Sequence, residues 1–208
     1  MSRPVRKKAA RKSPAERSAE IADAACTIAL EHGLYALTLR SVAAQVDVAP
    51  ALVAHYQPNM DALVANTFGT IVARELAEVG ELLAERDTPR TRLALLLETL
   101  LDGTRDDVTL IWVEAWALGR RNEALAERVR TEMDEWRTFL QAIIEEGVAA
   151  GEFETDDAAS VAWQVLGMID GLNAHALVRW EDSGGRGTRI GHAVEGMLGL
   201  PAAALASH

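Results

Sequence analysis

From residue 14 onward, apolar positions recur at spacings of three and four and the strict alternation of a half-buried strand is scarce, so the chain is predicted to be all-α. Ser13 and Pro14 with Glu16 in the first turn give a helix start, and the stripe Ile21, Ala24, Ala25, Ile28 carries that helix to about His32. Gly33 follows, a residue suited to the positive φ of a helix C-terminus. Two short helices are expected over about 39–46 and 50–56. A longer one, capped by Asn59, runs through Leu63, Phe68, Val72, Leu76 and Leu83 until Pro89 enforces a boundary. Further helices fit 90–103, 106–119, 123–150, 156–180 and 188–198, with breaks at Gly151 and at Gly184 and Gly185. The pattern therefore divides into a polar tail over 1–13, expected to be disordered, a three-helix unit over 14–60 and a helical body over 61–208, about nine helices in all.

Composition sharpens this picture. A chain of 208 residues, 49% hydrophobic and 25% charged, can bury a sizeable core without staples. Its single cysteine, Cys26, forms no internal disulfide and fits a reducing interior. No apolar run approaches the roughly 18 to 20 residues of a membrane span. The basic tail leads into Ser13 and Pro14 rather than an apolar signal core, so the expected location is the cytoplasm. The net charge of −10 is unevenly placed. Residues 1–60 hold 8 of the 21 basic side chains (Arg3, Arg6, Lys7, Lys8, Arg11, Lys12, Arg17, Arg40) and 5 of the 31 acids (Glu16, Glu20, Asp23, Glu31, Asp47), net +3. The remainder carries net −13. A positive end that neutralises phosphates on an acidic body repelled by them would orient a molecule on nucleic acid; a merely solvated basic tail accounts for the charge equally well.

Residues 38–63 decide between these. Thr38 can cap a helix through its hydroxyl near Ser41, and the same exposed N-terminus attracts a phosphate oxygen. Val42, Val46, Val48, Leu52 and Val53 are expected to form one small core, with Ala43 small enough for two helices to cross closely. Asp47 occupies the turn, where Asp tolerates positive φ. Pro50 opens the second helix, and with Leu52 and Val53 inward, Pro50, Ala51, Ala54 and His55 face outward and Tyr56 reaches sideways. Small residues there permit approach to base edges in a major groove, while His55, Tyr56, Arg40 and the tail can contact phosphates.

This stretch resembles the DNA-binding domain of the TetR family over about residues 16–68: an apolar first helix ending in Gly33 and Leu34, then T-L-R-S-V-A, then V-x-x-x-L-V-x-H-Y, then a helix opening with N-M-D-A-L. The resemblance implies that Thr38, Arg40, Ser41, Pro50, Ala51, Ala54, His55 and Tyr56 lie on or near the duplex, and that the protein is a ligand-responsive repressor binding operator DNA as a homodimer. Asp47, Ala49 and Gln57 depart from the glycine, Ser or Thr cap and core phenylalanine usual in the family, and Pro58 and Met60 replace residues that are often basic. These departures bear on affinity and operator sequence, and Ala49 and Gln57 are the best support for the alternative, a helical ligand-binding or scaffolding dimer without specific DNA binding.

The body resembles the C-terminal domain of the BetI-like branch of that family, through W-V-E-A-W-A-L-G-R-R-N from Trp112, R-V-R-T-E-M-D-E-W from Arg128, E-E-G-V-A-A-G-E-F from Glu145 and L-G-M-I-D-G-L from Leu166. The resemblance implies a ligand chamber and a dimer made by the last two helices, with Val161, Val165, Met168, Leu172, Ala176, Val194, Met197 and Leu198 as the apolar dimer face and Gly167 and Gly171 allowing close approach. Trp112, Trp116, Trp136 and Trp163, with Glu114 or Asp170, could line a pocket that holds a cation such as a quaternary amine; tryptophans four apart on a helix also fit plain core. Asp170, Asn173 and His175 are expected as buried polar groups satisfied across the dimer. No nucleophile elbow, glycine-rich phosphate loop or metal-spaced histidine pair competes, so no catalytic site, cofactor or metal is expected, and the partners are operator DNA, a second copy and an unidentified small effector.

Overall fold

A computed structural model describes residues 12–180 and 186–206. The basic residues of the tail up to Arg11 and the expected break at Gly184 and Gly185 lie outside the described residues. Among those described there are nine α-helices and no strand: α1 (Pro14–His32), α2 (Leu39–Gln45), α3 (Pro50–Tyr56), α4 (Met60–Ala84), α5 (Pro89–Leu101), α6 (Asp106–Gly119), α7 (Glu123–Ala149), α8 (Ala158–Leu177) and α9 (Arg186–Met197), with a 3-10 turn over Leu34–Ala36.

Side-chain caps set most boundaries. The Ser13 hydroxyl accepts from the Glu16 amide while the Glu16 carboxylate accepts from the Ser13 amide, a reciprocal box with Pro14 at the first helical position. Thr38 and Ser41 repeat the arrangement on α2, and Thr88 and Thr91 on α5. Asn59, Asn122 and Asp157 cap α4, α7 and α8. Asp47 takes the left-handed turn conformation expected of it, at φ 52°. Helix α8 stops three residues short of the expected end, where Arg179 adopts φ 56°.

A head of α1–α3 stands on a body of α4–α9, and α4 belongs to both: its buried face contacts α1 at one end and α7 along its length. One continuous apolar core runs from Ile21 through Phe68, Ile111 and Leu140 to Leu205. Close helix approach is filled from within the chain at two glycines, where the Arg128 guanidinium lies over Gly69 and the Phe153 ring over Gly147. Where Glu195 is buried on α9, its carboxylate accepts from the Ala203 and Leu205 amides at 3.1 and 3.0 Å and pins the C-terminal segment.

Candidate DNA-facing head and effector chamber

On the head, Thr38, Arg40, Pro50, Ala51 and His55 are exposed, and Ser41, Ala54 and Tyr56 are half-buried. The hydroxyls of Thr38 and Ser41 are engaged in capping: Thr38 Oγ1 accepts from the Ser41 amide at 3.0 Å and Ser41 Oγ donates to the Ala36 carbonyl at 2.7 Å. These bonds hold the N-terminus of α2 and its first-turn amides in place. One expectation fails. Leu52 is 36% exposed, whereas Val53 is fully buried. Consecutive helical residues point about 100° apart, and a seven-residue helix has only one narrow inward stripe, which Val53 occupies. Leu52 therefore joins the outward face. The Ala49 side chain supplies no cap to α3, and the His55 and Tyr56 rings meet edge to face at 5.2 Å.

In the body, a chamber of about 250 Å³ opens between α4, α6, α7 and α8. The structure brings Trp112, Trp116, Trp136, Trp163 and Asp170 together there and adds Glu75, Arg105, Arg137 and Asn173, which sequence reasoning did not place in the site. Trp112 and Trp116 lie with ring centroids 5.8 Å apart, and Trp112 stands edge-on to Phe68 at 5.0 Å. Glu75 had a legible signal: it interrupts the apolar stripe of α4 formed by Phe68, Val72 and Val79. Burial pushes its carboxyl up to about 7, opposed by the Arg105 guanidinium at 3.9 Å and by a hydrogen bond from Trp112 and reinforced by Asp107 and Glu78. Asp170 is raised to about 6 by burial alone. The indole N–H groups of Trp116 and Trp136 are buried without a partner among the described residues, a costly condition for a polar donor. A chamber of aromatic faces, two carboxylates and unused donors has the chemistry to hold a small polar ligand with a positive centre.

Glu114 is not in the chamber. It lies two residues from Trp112 on α6, roughly 200° around the helix, and so points the other way, where its carboxylate accepts from the Tyr35 amide at 3.2 Å and abuts Gly33. Asn173 is satisfied within the chain rather than across a dimer: it donates to the Leu100 carbonyl at 2.7 Å and accepts from Arg186 at 3.1 Å. His175 is exposed, stacked edge-on with Trp180 at 4.9 Å.

Four residues of the expected dimer face are corrected as well. Val161, Val165, Val194 and Leu198 are buried in the chain's own core, Met168, Leu172 and Met197 are half-buried against it, and Ala176 is half-buried. On α8, Val161 and Val165 belong to the inward stripe together with Ala162 and Ile169. The outward face of α8 carries Ser160, Trp163, Gln164, Gly167 and His175, and that of α9 carries Arg189, His192 and Gly196.

A capped helix-turn-helix head on a helical body with a ligand-sized chamber is the build of a one-component transcription regulator of the TetR type. Residues 89–194, just over half of the chain, match the family described as BetI-type transcriptional repressor, C-terminal, and the chain belongs to that family. It is similar to the fatty acid metabolism regulator protein of Bacillus subtilis (24% identical over 73% of this chain and 78% of the relative) and to the HTH-type transcriptional regulator BetI of Rhizobium meliloti (26% over 76% of each). Among solved structures, a TetR transcription regulator from Haloarcula marismortui superposes with TM-score 0.76 at 26% identity, covering 88% of this chain and 99% of that one. A transcriptional regulator from Saccharomonospora viridis in complex with choline superposes with TM-score 0.78 at 19% identity, covering 88% and 98%.

Proposed function

We propose that the protein is a homodimeric repressor that acts in the cytoplasm without catalysing a reaction, binds a pseudo-palindromic operator through α3 of each copy, and is released from it by a small organic cation. The DNA reading rests on α3, where exposed Pro50 and Ala51 and half-buried Ala54 would permit close approach, and exposed His55 and half-buried Tyr56 would donate to phosphates. Two copies place two such helices at half-sites about 34 Å apart. Electrophoretic mobility shift with DNA flanking the protein's own gene, in a salt series with unrelated competitor, tests it; binding that is weak and salt-erased on every fragment favours a scaffolding dimer.

The effector reading rests on the chamber, in which tryptophan faces surround the carboxylates of Asp170 and Glu75. A cation over such faces gains about 0.5 to 2 kcal/mol from the ring quadrupoles, more as the site is desolvated. The choline complex of the Saccharomonospora regulator supports this reading through a shared fold. The structural likeness to the transcriptional regulator FadR from Bacillus subtilis in complex with stearoyl-CoA favours an acyl ligand instead. At about 250 Å³ the chamber lies below the roughly 300–1,000 Å³ usual for larger ligands, which favours the small cation. Calorimetric titration with choline and, separately, with a long-chain acyl-CoA decides between them.

A further inference from the structure

The lining residues of the chamber that are exposed belong to only two helices: Met133 and Asp134 on α7, and Trp163 and Gly167 on α8. The mouth therefore lies between α7 and α8. Trp163 forms one lip, yet it is 69% exposed, an unusual state for an indole that lines a binding chamber.

The same side of α8 is unusual along its whole length. In 20 residues this helix carries one Asp and no Glu, Lys or Arg, and that residue, Asp170, lines the chamber. Its outward face from Ser160 to His175, about 22 Å at roughly 1.5 Å per residue, is free of Asp, Glu, Lys and Arg in a chain of net charge −10. Depletion of charge marks the centre of a protein interface, and two copies with the same excess of acid can approach closely only where neither presents it. Gly167 and Gly171 sit inside the helix, where glycine is unfavourable, and a Cβ at either would meet nothing within 4 Å. Unlike Gly69 and Gly147, which Arg128 and Phe153 overlie, no packing within the chain calls for them. Gly196 on the outward face of α9 has the same open surroundings. A second helix passing close to α8 would.

We infer that the effector chamber is a composite site: a second copy of this chain packs on the charge-free face of α8, covers Trp163 and Gly167, and closes the mouth. This rests on the homodimeric reading above and adds that one copy alone holds the ligand poorly. Ligand binding and assembly are then linked, each strengthening the other.

The test uses the full chain labelled with 15N-tryptophan, whose five indole N–H signals are separable, with Trp163→Phe assigning the signal of interest. In the wild-type dimer the Trp163 signal is expected to resist broadening by a soluble gadolinium chelate. Gly171→Glu, which lies outside the chamber in open space, is expected to sediment as a folded monomer, to expose the Trp163 signal, and to bind choline at least tenfold more weakly. Gln164→Glu, on the same face, serves if Gly171→Glu does not fold. A wild-type dimer whose Trp163 signal is fully broadened overturns the inference, as does a monomeric variant that binds choline with wild-type affinity. If the wild type binds no choline, the protection of Trp163 still decides the composite wall, and it is the cation reading that falls.

Discussion

Asp170 and Glu75 are carboxylic acids whose surroundings disfavour their charge, and this sets how the chamber responds to pH. Burial lifts Asp170 to about 6, and burial outweighs Arg105 at Glu75, lifting it to about 7. Both folded-state values lie above those of the unfolded chain, so the fold binds protons more tightly than the unfolded state and is penalised as pH rises from about 4 to 7. For Glu75 the penalty at pH 8 is on the order of 3 kcal/mol. Glu75→Gln is therefore expected to raise the melting temperature at pH 8 and leave it nearly unchanged at pH 4.5, measured by circular dichroism. A bound cation reverses the preference, since it interacts only with the ionised forms. Choline affinity is expected to increase from pH 5 to pH 7.5 and then level, and Asp170→Asn to weaken it about tenfold and flatten the profile below pH 6.5, measured by calorimetry. The clustering of tryptophans was legible in the sequence because Trp112 and Trp116 share a helix face. The burial that gives the carboxylates their character was not, because it depends on which helices close over them.

Helix α6 presents chamber-facing tryptophans on one side and Glu114 on the other, so it touches both the chamber and the head. The Glu114 carboxylate lies about 2.6 Å from where a Cβ on Gly33 would stand, and Gly33 itself has φ 82°. Gly33→Ala is expected to destabilise the fold by about 2 kcal/mol, visible as a lowered denaturation midpoint, since an L-residue is strained there by about 1 to 2 kcal/mol before the contact is counted. Glu114→Ala removes the tie to the Tyr35 amide without touching the chamber. It is expected to leave choline affinity within twofold of wild type while reducing the effect of choline on operator affinity, measured by fluorescence anisotropy. Helix starts were read to within a residue or two because their signals are local: Ser13, Thr38, Asn59 and the prolines act within one turn. Faces were read less well. Leu52, Glu114 and the buried valines of α8 differ from expectation because periodicity shows that a helix has an apolar side but not which neighbour takes it, and on α8 the outward side carries no Asp, Glu, Lys or Arg to mark it.

At the scale of the whole molecule, residues 1–60, at net +3, are joined to an acidic remainder at net −13, which is proposed to pair with a second copy. Substituting His55 and Tyr56 together with alanine is expected to abolish operator binding and leave sedimentation unchanged, because both side chains lie on α3, far along the chain from α8 and α9. A ligand that binds more tightly when the two heads stand at a spacing other than that of the half-sites shifts the population toward release, by no more than its difference in affinity for the two arrangements. The central claim, that one molecule reads an operator and answers to a small cation, is tested most directly by footprinting the wild-type protein on DNA flanking its own gene, with and without choline. The account predicts two related half-sites protected against excess competitor, with protection lost as choline is added. Protection unaltered by choline would contradict the effector half of the claim, and the absence of any competitor-resistant footprint would contradict the claim as a whole.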